Sequence, residues 1–172
     1  MFPGHPEYLP HFDYVGFHRY SLTFCTMRRQ PLFVTQPVVD LVLAQFLRSA
    51  EEERFALVAY CFMPDHVHLL VGGTCENSDG KRFISRAKQY SGFYYKQRHQ
   101  QRLWQRYPFE RVLRNNEATL IVARYILENP LRAGLVSDPR DYPFLGSQVY
   151  TIDEILNAIQ DGVAPDFDVA KA

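Results

Sequence analysis

Two histidines separated by one residue stand near the middle of the chain. His66 and His68 follow the turn Met63-Pro-Asp65 and begin a run of strand-forming residues. In a β-strand, residues two apart face the same side, with their Cα atoms about 7 Å apart. Two imidazoles presented in this way can bind one metal ion. The spacing also suits two partly buried histidines that only make hydrogen bonds, so both interpretations stay open on this motif alone.

A second candidate for chemistry is Tyr125, in an apolar segment of helical character. Tyr125 and Asn129 are four residues apart, and residues at this spacing lie on one face of a helix. Pro130 ends the helix there, because the residue before a proline is disfavoured in α conformation. Oxygen ligands beside two imidazoles suit Mg²⁺ or Mn²⁺ better than zinc. The alternative is that Tyr125 packs on a sheet as an ordinary core residue.

The elements that must position these side chains follow from hydrophobic periodicity and turn signals. We predict strands at 20–26, 55–62, 66–72 and 104–113, and helices at 36–53, 81–99, 115–128 and 152–159. The order βαββαβα predicts an α+β, ferredoxin-like fold, with an antiparallel sheet, helices on one face and a short C-terminal helical appendage. We predict an irregular N-terminal arm at 1–17, the main domain at 18–136, and a C-terminal loop and short helix at 137–172.

The distribution of charge is more informative than its sum, since the formal net charge is zero. Residues 81–114 contain ten Lys or Arg and one acidic residue. This asymmetry indicates a basic face for a polyanion such as nucleic acid, although a solvated helix face is the simpler alternative. The expected contacts with a nucleic-acid backbone are Arg82, Arg86, Lys88, Arg98, Arg102 and Arg106. Nearby aromatic residues, such as Phe93 and Trp104, are candidates for stacking on bases.

Several other classes of protein are disfavoured. The three cysteines show no C-x-x-C spacing, so neither a disulfide framework nor a zinc knuckle is indicated. Neither of the common glycine-rich phosphate-binding motifs occurs. We see no signal peptide and no apolar run of about 20 residues, so a cytoplasmic protein without membrane association is expected.

Three segments together carry a family likeness. They are Phe62-Met-Pro-Asp-His-Val-His-Leu-Leu-Val71, Arg124-Tyr-Ile-Leu-Glu-Asn-Pro-Leu-Arg-Ala-Gly-Leu-Val136 and Tyr142-Pro-Phe-Leu-Gly-Ser147. In order and spacing the chain resembles the single-tyrosine HUH transposases, and within them the bacterial REP-associated tyrosine transposases. The resemblance implies that His66, His68 and Asn129 bind Mg²⁺ or Mn²⁺ and that Tyr125 is the nucleophile. The sequence departs from the family pattern at Glu128, which follows Leu127 instead of the isoleucine, and at Phe144-Leu-Gly.

The resemblance also implies an activity and a partner. The expected function is nicking and rejoining of single-stranded, hairpin-flanking, REP-like DNA through a 5′-phosphotyrosine link and a free 3′-hydroxyl. The protein is then a monomer or a homodimer. One alternative is a domesticated, sequence-specific nucleic-acid-binding protein that lacks catalysis, and another is a small-molecule enzyme on a ferredoxin-like scaffold. The presence of Tyr125, His66, His68 and Asn129 favours the enzyme, because a binding protein does not need all four.

Overall fold

A computed structural model of the protein describes residues 11–106, 108–113 and 119–158. The strands are β1 (Arg19–Cys25), β2 (Phe55–Met63), β3 (His66–Gly73), β4 (Phe109–Val112) and β5 (Leu145–Gly146). The helices are α1 (Gln36–Glu53), α2 (Gly80–His99), α3 (Thr119–Leu127), α4 (Asn129–Arg132) and α5 (Ile152–Asn157). Short 3-10 turns occupy Met27–Arg29 and Pro139–Asp141.

The strands form one sheet in the order β4-β1-β3-β2-β5, and every neighbouring pair is antiparallel. Because β3 lies between β1 and β2, the connection through α1 crosses over one strand, which is the split βαβ arrangement of ferredoxin-like folds. The predicted α+β class and antiparallel sheet are therefore confirmed. The sequence analysis did not predict β5, a two-residue strand that pairs with the outer edge of β2.

Two hydrophobic cores lie on opposite faces of this sheet. Alternate residues of β1 and β3, such as Leu22 and Leu69, pack with α1 and α2. Their neighbours on the other face, among them Leu70 of β3, pack with α3 and α5. We expected helices on one face, but α3 covers the face opposite to α1 and α2. The sequence of β2 explains this difference. Its continuous apolar run is typical of a strand that is buried on both sides, so both faces of the sheet must be covered.

Most element bounds agree with the prediction to within one or two residues. The cap at the start of α2 is Asp79, whose side chain accepts a hydrogen bond from the backbone N–H of Arg82 at 3.0 Å. The predicted strand at 104–113 is shorter than expected. Pro108 precedes the four-residue β4, while Trp104 forms an isolated bridge with Thr26. A proline cannot donate to a strand ladder, which explains the interruption.

Some predicted features fall outside the described residues: most of the N-terminal arm, the start of the helix predicted at 115–128, and the end of the chain. Within the ranges given above, no helix combines the length and the apolar composition needed to cross a bilayer.

Candidate active site

The β2–β3 hairpin sets the direction of the two histidines. Val67 and Leu69 are fully buried in the core under α1 and α2. Since strand residues alternate, His66 and His68 point to the opposite face, on which α3 lies. Thr23 of β1 pairs with His68, and Cys25 pairs with His66. The two imidazoles thus lie side by side in the middle of the sheet.

The two rings meet through their Nε2 atoms, which are 3.0 Å apart, and the ring planes are nearly perpendicular. Each outer nitrogen has its own oxygen partner. His66 Nδ1 lies 2.6 Å from Asp65 Oδ1, and His68 Nδ1 lies 3.0 Å from Thr23 Oγ1. Partners of this kind fix the ring orientation and the tautomer of metal-binding histidines. The inner nitrogens are therefore the atoms presented to a ligand.

The spacing of the inner nitrogens fits a divalent ion. Two ligands about 2.1 Å from one octahedral ion, at a right angle to each other, are about 3.0 Å apart. A direct hydrogen bond between the two rings has the same length, so the geometry admits both arrangements. Within the described ranges, no cluster of three or more His, Cys, Asp or Glu residues is placed to hold a metal. A third ligand must then be of another type, such as a carboxamide, a water or the substrate itself.

Burial favours the neutral form of His68. It lowers the pKa of His68 to about 4, with smaller contributions in the same direction from His66, Arg132 and Arg29. A neutral imidazole is the form that binds a metal ion. His68 is thus neutral throughout the physiological pH range.

Asp65 connects the histidines to a neighbouring turn. One carboxylate oxygen contacts His66, and the other accepts from Arg29 Nε at 2.8 Å. Arg29 also donates to Cys25 Sγ at 2.8 Å and adopts a left-handed backbone, with φ of 57°. The sequence analysis assigned Asp65 only to the turn, although its position directly before His66 was a usable signal. The role of Thr23 depends on the β1–β3 register, for which the sequence carries no direct signal.

The side chain of Tyr125 lies at a cavity that it shares with His68. The cavity has a volume of about 580 Å³ and is lined by Ser21, Thr23, His68, Arg111, Ile121, Val122, Tyr125 and Ile126. Tyr125 is 61% exposed, so it is not a core residue, and Ile126 and its neighbours fill the core instead. The structure thus brings a phenol from α3 and an imidazole from β3 to one open cavity, although they are 57 residues apart in the chain.

Arg132 holds the Tyr125 ring. Its guanidinium carbon lies 3.8 Å from the ring centroid, and its Nη2 donates to the Tyr125 carbonyl at 2.6 Å. Glu128 accepts from Arg124 at 2.7 Å and lies 3.7 Å from Arg132. Glu128 therefore serves as the anion between two arginines. Since the charge of Arg132 also contributes to the lowered pKa of His68, the arginine links the two sides of the cavity.

Asn129 occupies the break between α3 and α4. Its Nδ2 donates to the Ile126 carbonyl at 3.0 Å. Pro130 has no N–H, so it cannot supply the backbone hydrogen bond that this carbonyl would otherwise accept, and the carboxamide replaces it. Asn129 is not among the described residues that line the Tyr125 cavity. As placed here it caps a helix, and its Oδ1 is the atom left for a ligand.

The six predicted DNA contacts separate into groups. Arg82 and Arg86 form ion pairs with the end of α1, at 3.4 Å and 2.9 Å from Glu53 Oε1. The side chains of Lys88, Arg102 and Arg106 line a second cavity, beside α2, and Arg98 is exposed on α2. Arg82 and Arg86 are thus largely neutralised, whereas the later residues leave a basic surface.

Comparison with known proteins identifies the family of this sequence. The sequence model of the IS200-like transposases matches residues 15–129, a span that contains both histidines, Tyr125 and Asn129. The chain belongs to the IS200-like transposase family. This transposase is 26% identical, over 137 residues, to a Haemophilus influenzae protein provisionally named a REP-associated tyrosine transposase; the match covers 73% of this chain and 77% of that protein.

Two solved structures are also similar to this transposase. The first, a REP-associated tyrosine transposase bound to a REP hairpin, is 20% identical, with a TM-score of 0.65, covering 91% of this chain and 89% of that one. The second, provisionally described as a transposase from Deinococcus radiodurans R1, is 26% identical, with a TM-score of 0.49, covering 69% and 94%. The first supports the fold described above. The family match and the Haemophilus influenzae relative together confirm the predicted resemblance to the tyrosine transposases, and that relative is named for the REP-associated branch.

Proposed function

We propose that this transposase cleaves and rejoins single-stranded DNA beside a hairpin, using Tyr125 as its nucleophile. The observation that carries the proposal is the shared cavity of Tyr125 and His68, with Arg132 stacked on the tyrosine ring. The exposed phenol of Tyr125 and the partly buried, neutral imidazole of His68 both face this cavity. The family membership gives this pair of residues a reaction to perform.

In the proposed reaction, Tyr125 Oη attacks the phosphorus of a phosphodiester. A bond from the phenolic oxygen to phosphorus forms, and the bond from phosphorus to the 3′ oxygen of the preceding nucleotide breaks. The phenolic proton passes to solvent or to a nearby base, and the departing 3′ oxygen takes up a proton to become a hydroxyl. The ester bond from phosphorus to Tyr125 replaces the broken ester bond to the 3′ oxygen. Attack by another 3′-hydroxyl can therefore rejoin DNA without ATP.

His66 and His68 are the residues proposed to hold Mg²⁺ or Mn²⁺ through their Nε2 atoms. Asp65 and Thr23 orient the rings, and the lowered pKa of His68 keeps this imidazole neutral, the form that can bind a metal ion. When bound, a divalent ion supplies positive charge to a scissile phosphate. Asn129 is proposed as a third ligand through Oδ1, the atom that its helix cap leaves available.

The proposed substrate is unpaired or hairpin-flanking, REP-like DNA. The Tyr125 cavity is open on one side of the sheet, and a phosphate can reach an exposed phenol there most easily when the strand is not in a duplex. The solved relative that was bound to a REP hairpin supports hairpin DNA as the partner. The prediction from the sequence that the protein acts as a monomer or a homodimer stays a prediction.

The deciding experiment is covalent capture of DNA. A labelled hairpin oligonucleotide with single-stranded flanks is incubated with Mn²⁺ and either the natural protein or Tyr125→Phe, and the products are separated under denaturing conditions. We expect a protein–DNA adduct with the natural protein and none with the variant, while both bind the oligonucleotide equally in gel shift. An adduct of undiminished yield with Tyr125→Phe would show that another residue is the nucleophile.

A binding protein without catalysis is the second candidate. It is favoured by the Asn129 amide, which is engaged in a helix cap, and by the lack of a third His, Cys, Asp or Glu ligand in the described part of the chain. Gel shift without any adduct, in both Mg²⁺ and Mn²⁺, would support this candidate.

A further inference from the structure

A second cavity lies between α2 and the segment that follows it. It has a volume of about 840 Å³ and is bounded on one side by α2 and on the other by residues 102–106. The α2 residues that line it, from Ser85 to Lys96, recur at intervals of three and four, so they form one face of the helix. We call this cavity the α2 groove.

The α2 groove combines positive charge with an exposed aromatic ring. Its lining contains the cations Lys88, Lys96, Arg102 and Arg106 and no acidic side chain. Phe93, on the helix side, is 55% exposed, although phenylalanine is among the residues most often buried in folded proteins. A solvated helix face normally mixes both signs of charge, whereas the cations of this groove have no acidic neighbour in its lining; Arg86, elsewhere on α2, is neutralised by Glu52 of α1 at 2.6 Å.

The inner wall of the groove is rigid. Trp104 is only 6% exposed, and its Nε1 donates to Ser91 Oγ at 2.8 Å. Lys88 Nζ donates to the carbonyls of Gln105 and Arg106, both at 2.8 Å. Lys88 therefore joins the two walls. Lys96 and Arg102 make no ion pair in the described part of the chain, and both are exposed.

The functional interpretation of the α2 groove depends on where it lies relative to the active site. The helix α2 covers the sheet face opposite to the one that carries the histidines. The groove comes near the histidine pair at the end of β1, where Gln105 N donates to the Cys25 carbonyl at 2.9 Å and Cys25 pairs with His66. Two strand spacings of about 4.8 Å place the backbone of Gln105 about 10 Å from that of His66. A single strand that passes round the end of β1 can contact both sites.

We propose that the α2 groove binds a single-stranded segment of the DNA substrate next to the cleaved phosphate. One base stacks on Phe93, and the adjoining phosphates contact Lys96 and Arg102. This inference rests on the proposed function for the identity of the ligand as DNA. The groove is a binding site distinct from the Tyr125 cavity, so it determines which strand is held and where, and it takes no part in the chemistry.

The test measures DNA binding, not cleavage. The probes are a fluorescent mixed-sequence hairpin oligonucleotide with a single-stranded flank and the same hairpin without it, titrated by anisotropy at several salt concentrations. The variants are Phe93→Ala and the double variant Lys96→Ala with Arg102→Ala. The control is Arg48→Ala, which removes an exposed cation of α1 that is paired with Glu52 at 3.0 Å and does not line the groove. Thermal melting checks that each variant is folded.

We expect Phe93→Ala to weaken binding of the flanked probe about tenfold, since stacking on an aromatic ring contributes this much per base. The double variant should reduce the slope of log K against log salt by about 1.4, the value for two single-strand phosphate contacts. Neither variant should alter binding of the hairpin without its flank by more than about twofold, and Arg48→Ala should have no larger effect on either probe.

A second readout locates the base directly. With 5-bromodeoxyuridine in the flank, ultraviolet cross-linking should label the tryptic peptide of residues 89–96, which contains Phe93. The proposal is overturned if labelling falls only on other peptides, or if the groove variants bind the flanked probe like Arg48→Ala. It is also overturned if both probes lose affinity equally, because the loss is then general electrostatics. Tyr125 adduct formation is scored separately, so a protein that forms no adduct but passes this test retains the groove and loses only the proposed cleavage.

Discussion

The guanidinium of Arg132 lies over the ring of Tyr125, with its central carbon 3.8 Å from the ring centroid. The two residues are separated by the helix break at Asn129 and Pro130, and Arg132 also donates to the Tyr125 carbonyl. A cation on a ring face attracts it and restricts its rotation. The arginine thus holds in one place a tyrosine whose other surroundings are largely solvent.

Replacement of Arg132 should slow the proposed reaction without weakening DNA binding. We expect Arg132→Gln to reduce the single-turnover rate of adduct formation about tenfold, because a cation–π contact is worth about 1–2 kcal/mol and the ring also loses its orientation. Arg132→Lys should recover only part of the rate, since lysine lacks the planar group that stacks and donates together. A natural rate in Arg132→Gln would mean that the stack has no role in positioning Tyr125.

The stability of the protein should depend on pH through His68. The folded-state pKa of about 4 lies below the ordinary value of 6.5, so the unfolded chain binds more protons between these limits. Stability should therefore fall as pH is lowered from about 6.5 to about 4, by at most roughly 3 kcal/mol from this residue. Urea unfolding at several pH values should show a weaker dependence in His68→Asn, which keeps a polar group near Thr23. An identical dependence in the variant would contradict the burial argument.

The carboxylate of Asp65 should matter for metal affinity. Asp65→Asn weakens the contact that orients His66, and the loss of such a partner typically costs 10–100-fold in affinity. We expect a corresponding rise in the Mn²⁺ concentration that gives half-maximal adduct formation. Asp40→Asn is the control, since Asp40 lies on α1 and accepts only from Gln36 among its described contacts. Equal metal requirements in the two variants would show that the contact of Asp65 with His66 does not contribute to metal affinity.

Two substitutions of Asn129 separate its two possible roles. Asn129→Ala and Asn129→Asp both remove the Nδ2 donor from the Ile126 carbonyl, so both should lower the free energy of unfolding by about 1–3 kcal/mol. Only the aspartate retains an oxygen ligand, and we expect adduct formation with Mn²⁺ to survive in Asn129→Asp and to be lost in Asn129→Ala. Similar activity in the two variants would assign Asn129 to the helix cap alone.

The sequence predicted the scaffold of the site better than its details. The period-two pattern of His66 to Leu69 and the turn before it fixed the direction of both imidazoles, because local alternation decides which face a strand residue takes. Which residue of β1 would lie opposite His68 depends on strand register over 45 residues of chain. Thr23 was therefore missed as a partner of His68.

The ion pairs of the basic segment, residues 81–114, also depend on tertiary packing and could not be predicted from the sequence. Arg82 and Arg86 read as free cations in the sequence, but Glu52 and Glu53, about 30 residues earlier, neutralise them in the structure. This contact exists only because α1 and α2 pack side by side on one face of the sheet. The position of α3 on the opposite face was likewise set by tertiary packing, since an amphipathic helix pattern shows that one stripe is buried but not which surface buries it.

The face of the sheet on which the two imidazoles lie depends on the number of residues in the hairpin as well as on their identity. Val67 and Leu69 are enclosed by hydrocarbon on the far side of β3. A single inserted or deleted residue directly after Asp65 would turn the histidines into that interior and push the two apolar residues toward the cavity. We therefore expect functional descendants of this gene to vary in composition along the hairpin while conserving the number of residues in it.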